Sequence, residues 1–220
     1  MKDRHGGRLY GPVYASAGLS LVYLLCVHLL PLPAPAARAE MLEASRLMAG
    51  ATRAVGDCRA AKGIPLVRTA DPNGTGLIGL QSSPITTSLG SLEAKRTAAN
   101  PNFAGLVVAL LREAGVRRGD AVAVGASSSF PAFIIAALSA AKAMGVEPVV
   151  ISSLGSSEWG ANIPGFHWTD MEDCLRSAGI FVARPVARAV GGDRDVGRDM
   201  DPAGRDLLGS RLRAGGVPAR

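Results

Sequence analysis

Two hydroxyl-rich stretches, Ser127-Ser128-Ser129 and Ser152-Ser153-Leu154-Gly155-Ser156-Ser157, each follow a short run rich in Val with Ala or Ile. Clustered serines suit three roles. Hydroxyls beside the free amides of a helix start can hold a carboxylate or phosphate. A serine next to a base can act as a nucleophile. Serine also caps helices and fills turns with no ligand at all. What separates these roles is whether the two clusters meet. A strand–helix–strand unit in a parallel sheet is right-handed and usually joins neighbouring strands, so both clusters should leave the same carboxyl edge. That edge is where open α/β sheets bind ligands. The candidate ligand-contacting residues are therefore Ser127, Ser128, Ser129, Ser153, Ser156, Ser157 and Asn162, with Glu158 and Trp159 in the same loop. Lys95 and Arg96 are the cations that would counter a carboxylate; a solvated helix face is their competing assignment.

Other chemistries fit less well. A hydrolase would take its nucleophile from Ser127–Ser129, its base from His167 and its orienting acid from Asp170 or Asp173. The G-x-S-x-G elbow is broken, however, because Phe130 and Pro131 follow the serines. "GASSSF" lacks G-x-G-x-x-G, and the chain has no Walker G-x-x-x-x-G-K-[ST], so no dinucleotide or nucleotide cofactor is expected. Asp193, Asp195, Asp199 and Asp201 are spaced for a Ca²⁺ loop. They lack the EF-hand order and terminal Glu, and Arg194 and Arg198 would repel a cation, so a solvated loop is expected and no metal.

The elements that would position the serines follow from periodicity. Strands are expected at 120–126 and 147–153, and a third within 180–187. Helices are expected near 40–62, 91–99, 103–115, 131–145 and 168–179, the last capped by Thr169. Helix 131–145 has only Ser139 and Lys142 as polar members and must be covered on most sides. Residues 69–76, "TADPNGTG", read as a turn-rich loop. This alternation predicts an α/β fold, a parallel layered sheet with helices on both faces, preceded by an N-terminal transmembrane helix.

That helix is read from the chain start. Lys2, Arg4 and Arg8 precede a nearly uncharged run whose apolar part, 13–32, approaches the length of a membrane span. The positive flank places residues 1–12 in the cytoplasm and the rest outside. A retained anchor is favoured over a signal cleaved after Ala39. The expected organisation is a basic segment at 1–12, an anchor at 13–32, a linker and helix at 33–68, and an extracytoplasmic domain at 69–220.

The net charge of +6 and pI near 9.7 do not make a nucleic-acid binder, because the arginines are scattered among aspartates and no nucleic-acid motif is present. Cys26 lies in the apolar run. Cys58 and Cys174 are read as isolated small hydrophobes, with one disulfide between them as the alternative in an oxidising compartment.

Three stretches, "SSPITTSLGSLEAKRTAANPNFAGLVVALLREAGVRRGDAVAVGASSSFPA", "PVVISSLGSSEWGANIPGFHWTDME" and "GGDRDVGRDMDPAGRDLL", resemble the poly-gamma-glutamate system protein family. The resemblance spans about 76–208, and "SPITTSLG", "AKRT" and "WGANIP" together carry it. It implies a membrane-anchored accessory component of capsule or secreted-polymer biogenesis. The implied partners are the membrane subunits of a poly-γ-glutamate synthase, the acidic polymer and the lipid bilayer. The resemblance transfers no catalytic residues. It also suggests a shortened version of a longer family protein, a sheet lacking its last strands.

Overall fold

A computed structural model describes residues 10–30, 34–181, 184–215 and 218. The chain falls into two units that part after Ala36. The first contains helix α1, Gly11–Leu29, of 19 residues and mean hydropathy 1.6. At ~1.5 Å per residue it is long and apolar enough to cross a hydrocarbon layer. Its hydroxyls return to the helix backbone, Ser16 donating to Val13 O at 2.9 Å and Ser20 to Ser16 O at 2.9 Å. The expected span ran to residue 32. The helix ends earlier because Leu30 precedes a proline and adopts extended backbone, φ −84° and ψ 120°. Residues 1–9 and 31–33, including the basic flank, lie outside the described residues.

The second unit opens with α2, Arg38–Ala61, whose Ala44, Met48, Ala51 and Val55 form one buried helical stripe. Gly63, at φ 71°, turns the chain out of it. Arg59 at its end is buried and donates to Gly76 O, Ile78 O and Pro65 O at 3.1, 2.8 and 2.8 Å. The next elements are α3, Leu92–Ala98, and α4, Asn102–Glu113. They are followed by β1, Ala121–Ser127, α5, Pro131–Met144, and β2, Glu147–Ser153. Helix α5 touches both strands on one side and α2 and α4 on the other, which explains its nearly unbroken apolar sequence. After β2 come a short hairpin of β3, Asn162–Ile163, and β4, Phe166–His167, then α6, Trp168–Ser177, β5, Ala187–Ala189, and α7, Pro202–Ala214.

The main sheet is parallel with order β1-β2-β5, and β1 pairs with β2 from Ala121–Glu147 to Ser127–Ser153. Its covered face carries Val122, Val124, Ala126 and Val150, packed with α2, α4, α5 and α6 around one core. The expectation of helices on both faces is met on one only among the described residues. The opposite face leaves Ala121, Ala123 and Gly125 exposed, with Val149 37% and Ile151 49% accessible.

Three further expectations change. The third strand was expected within 180–187 but forms at Ala187–Ala189. Ile180 closes α6, its N–H donating to Leu175 O at 3.0 Å, and Phe181 packs into the core, so the apolar run serves as a helix stop. Residues 182–183 of that stretch lie outside the described residues. The cap of α6 is His167 and not Thr169: Asp170 accepts from His167 N at 3.0 Å and Thr169 Oγ1 bonds His167 Nδ1 at 2.9 Å. Cys58 and Cys174 are not separate thiols but a disulfide with 6.0 Å between Cα atoms, tying the end of α2 to α6.

Helix α7 closes a smaller core of Ile85, Leu154, Met200, Leu208 and Leu212. It approaches so closely that a Cβ on Gly204 would lie 1.8 Å from Pro84 O. Beyond it, Pro218 O accepts from Arg188 N at 3.0 Å.

Candidate functional site

The two serine clusters meet. Ser127 and Ser153 end adjacent strands in register, and the loops that follow are joined by hydrogen bonds. Ser128 Oγ and Ser128 N both donate to Ser153 O, the latter at 3.3 Å. Ser156 Oγ donates to Ser128 O at 3.1 Å and Ser157 N to Ser129 Oγ at 3.0 Å. Ala161 N donates to Ser128 O at 2.9 Å. Ser128 and Ser156 are wholly buried and Ser157 nearly so. At these positions the hydroxyls join loop to loop.

Lys95 locks the junction from α3. It is 3% exposed, its Nζ donates to Ser129 O and to Ser157 Oγ at 2.8 Å, and it lies 3.5 Å from the centre of the Phe130 ring. No carboxylate lies within ion-pair distance among the described residues. Burial without a counter-charge pulls its ammonium down to about 8. The solvated-face assignment gives way for this residue. Arg96, one position on, points elsewhere and does not join the serines: it donates to Ala70 O at 2.9 Å, to Thr69 O at 2.5 Å and to Glu93 at 2.5 Å.

Asn162 extends the junction towards residues 79–90. Its side chain accepts from Leu80 N at 2.8 Å and donates to Leu80 O at 2.8 Å and to Thr86 Oγ1 at 3.0 Å, behaving as a strand partner. Around it the chain segments interlock. Trp159 N donates to Leu80 O at 2.8 Å, Gly79 N to Trp159 O at 3.1 Å, and Thr87 N to Ser156 O at 2.9 Å. Glu158 takes Gly90 N at 3.1 Å. Trp159 is held at φ 63°, a conformation uncommon outside glycine. Gly79 fits only because it lacks a side chain, since a Cβ there would sit 2.0 Å from Gly160 O.

What stays open is the mouth of the rim. Ser127 and Ser153 border a cavity of about 250 Å³ with Gly125, Ile151, Arg188 and Asp195. It offers hydroxyls, one cation and one acid, a set suited to a polar chain and lacking a paired nucleophile and base. His167 is buried with its Nδ1 on Thr169, and no hydrogen bond joins it to Ser127–Ser129 among the described residues. Burial depresses its proton affinity, Asp170 opposes that, and Arg211 and Arg188 add to it.

In the aspartate loop, Asp199 accepts from Asp193 N at 2.8 Å and Asp201 caps α7 through Ala203 N at 2.8 Å. Sequence reasoning overlooked Arg188 and Asp195 at the rim. No periodicity marks a short strand that begins after Pro185, and β5 is what brings Arg188 there. Comparison with family models, with curated proteins and with solved structures finds no match to this chain.

Proposed function

We propose that this chain is a membrane-anchored accessory component of a poly-γ-glutamate synthesis and export system, serving a capsule or secreted polymer. Its extracytoplasmic body meets the acidic polymer or the membrane subunits of the synthase at the serine rim. One observation carries the reading. Of the segments behind the family resemblance, "SPITTSLG" and "AKRT" lie close together in sequence, and each bonds to the distant "SSLGSSEWGANIP", Thr86 with Asn162 and Lys95 with Ser157. Helix α1 supports anchoring by its length and composition. The Cys58–Cys174 disulfide supports an oxidising compartment for the body. The internal use of Ser128, Ser156 and Ser157 favours a non-catalytic scaffold over a hydrolase acting on γ-glutamyl bonds.

The test is co-purification of the tagged full-length chain from polymer-producing cells, together with titration by oligo-γ-glutamate. Synthase membrane subunits should accompany the chain, and any polymer binding should weaken as salt rises. A chain that captures neither, or a reporter fusion that locates the body in the cytoplasm, would remove the proposal.

A further inference from the structure

Four arginines, three from α6, β5 and α7 and one from the segment before β5, converge on a second cavity. Arg176 on α6, Arg184 before β5, Arg188 within β5 and Arg211 on α7 line a space of about 240 Å³, with Thr169 and Asp173. Arg176 is paired with Asp173 at 2.6 Å and Arg188 with Glu172. Glu172 is further engaged, accepting from Trp168 Nε1 at 2.8 Å. Arg184 and Arg211 make no ion pair among the described residues, so four guanidiniums face two carboxylates. The Nε of Arg188 is buried without an acceptor among the described residues.

Local effects explain part of this. Arg176 and Arg211 each occupy the last turn of a helix, where the carbonyl end favours a cation. That accounts for neither Arg184 nor the convergence. Like charges held together in a concave site raise the local potential and draw in anions. Guanidinium also presents a planar fork that matches the oxygens of carboxylate or phosphate.

We propose that this cavity is a binding site for a small multivalent oxyanion, a molecule with two or more carboxylate or phosphate groups. Arg184 and Arg211 supply the free forks, and Arg176 and Arg188 the surrounding charge. None of the rim serines lines this space; Arg188 borders both cavities, while Arg184 and Arg211, which carry this proposal, do not border the rim cavity.

The full-length chain in detergent micelles is titrated calorimetrically with citrate, with pyrophosphate and with acetate as the monovalent control. Citrate or pyrophosphate should bind at least roughly tenfold more tightly than acetate, and Arg184→Gln combined with Arg211→Gln should remove about tenfold or more of that affinity. Preference for citrate assigns carboxylate as the ligand class, and preference for pyrophosphate assigns phosphate. Removing two exposed arginines elsewhere, Arg46→Gln with Arg53→Gln, takes away the same charge and should leave the affinity unchanged. The single variants Arg184→Gln and Arg211→Gln serve if the double variant does not fold, each with a several-fold loss. The proposal is overturned if wild type shows no preference for multivalent ions, if the cavity variants bind as wild type does, or if the distant pair weakens binding equally.

Discussion

The serine junction and the arginine cavity are both built from polar side chains on the loops and helices around one small sheet, yet they are opposite in balance. At the junction the hydroxyls, the Asn162 amide and the Lys95 ammonium find partners within the chain, and most are buried. In the cavity, cations outnumber acids and two guanidiniums are left unpaired among the described residues. Internally satisfied polar groups rigidify and specify a fold. Surplus charge in a concave space has no such structural use and marks a place for something else. Substitution at the junction should therefore be read out in stability, and in the cavity in binding.

The largest expected effect breaks both regions together. Cys174 lies on α6 between Asp173 and Arg176, and the disulfide closes a sequence separation of 116 residues. Cys58→Ser with Cys174→Ser should cost about 4 kcal/mol, measured by urea unfolding. A loss below about 1 kcal/mol would mean that packing alone holds α6 against α2.

Gly79→Ala tests the junction by itself. The added methyl would meet Gly160 O and Asn162 Oδ1 at 2.0 and 2.2 Å, so the interlock must part. The expected loss is about 3 kcal/mol, with cavity affinity retained in the molecules that fold.

Lys95→Met keeps the apolar stem but leaves Ser129 O and Ser157 Oγ without their donor, for an expected cost of about 2 kcal/mol. The lysine also carries a pH signature. Its folded-state value of about 8 lies below the ordinary 10.5, so between these limits the unfolded chain binds more protons. Stability contributed by this group therefore rises with pH across that window. Subtracting the Lys95→Met profile from wild type should isolate the rise. A flat difference would mean that the ammonium is not desolvated.

Smallest is the stability effect of Arg184→Gln with Arg211→Gln, expected within about 0.5 kcal/mol of wild type because both side chains are exposed. A larger loss would make these arginines structural and erase the contrast.

Much of the frame was legible in the sequence. The bounds of β2 were read as found, and β1 and α5 shifted by one residue, because Val-rich runs ending in serine or glycine give clear limits. That the serine loops share a rim followed from the handedness of one strand–helix–strand connection. The sealing of that rim did not, because it depends on partners 62 and 82 residues apart, Lys95 with Ser157 and Asn162 with Leu80. A lysine on a seven-residue helix carries no local mark of burial. The arginine cavity was equally hidden, since its residues read as scattered charge until α6, β5 and α7 bring them together.

The indole of Trp168, hydrogen-bonded to the same Glu172 that pairs with Arg188, gives the molecule an internal gauge. The chain has only two tryptophans, and the other, Trp159, belongs to the interlock. Replacing either by Phe leaves a single indole, so the fluorescence of Trp159 can follow the loosening of the loops and that of Trp168 the filling of the pocket, with no added dye.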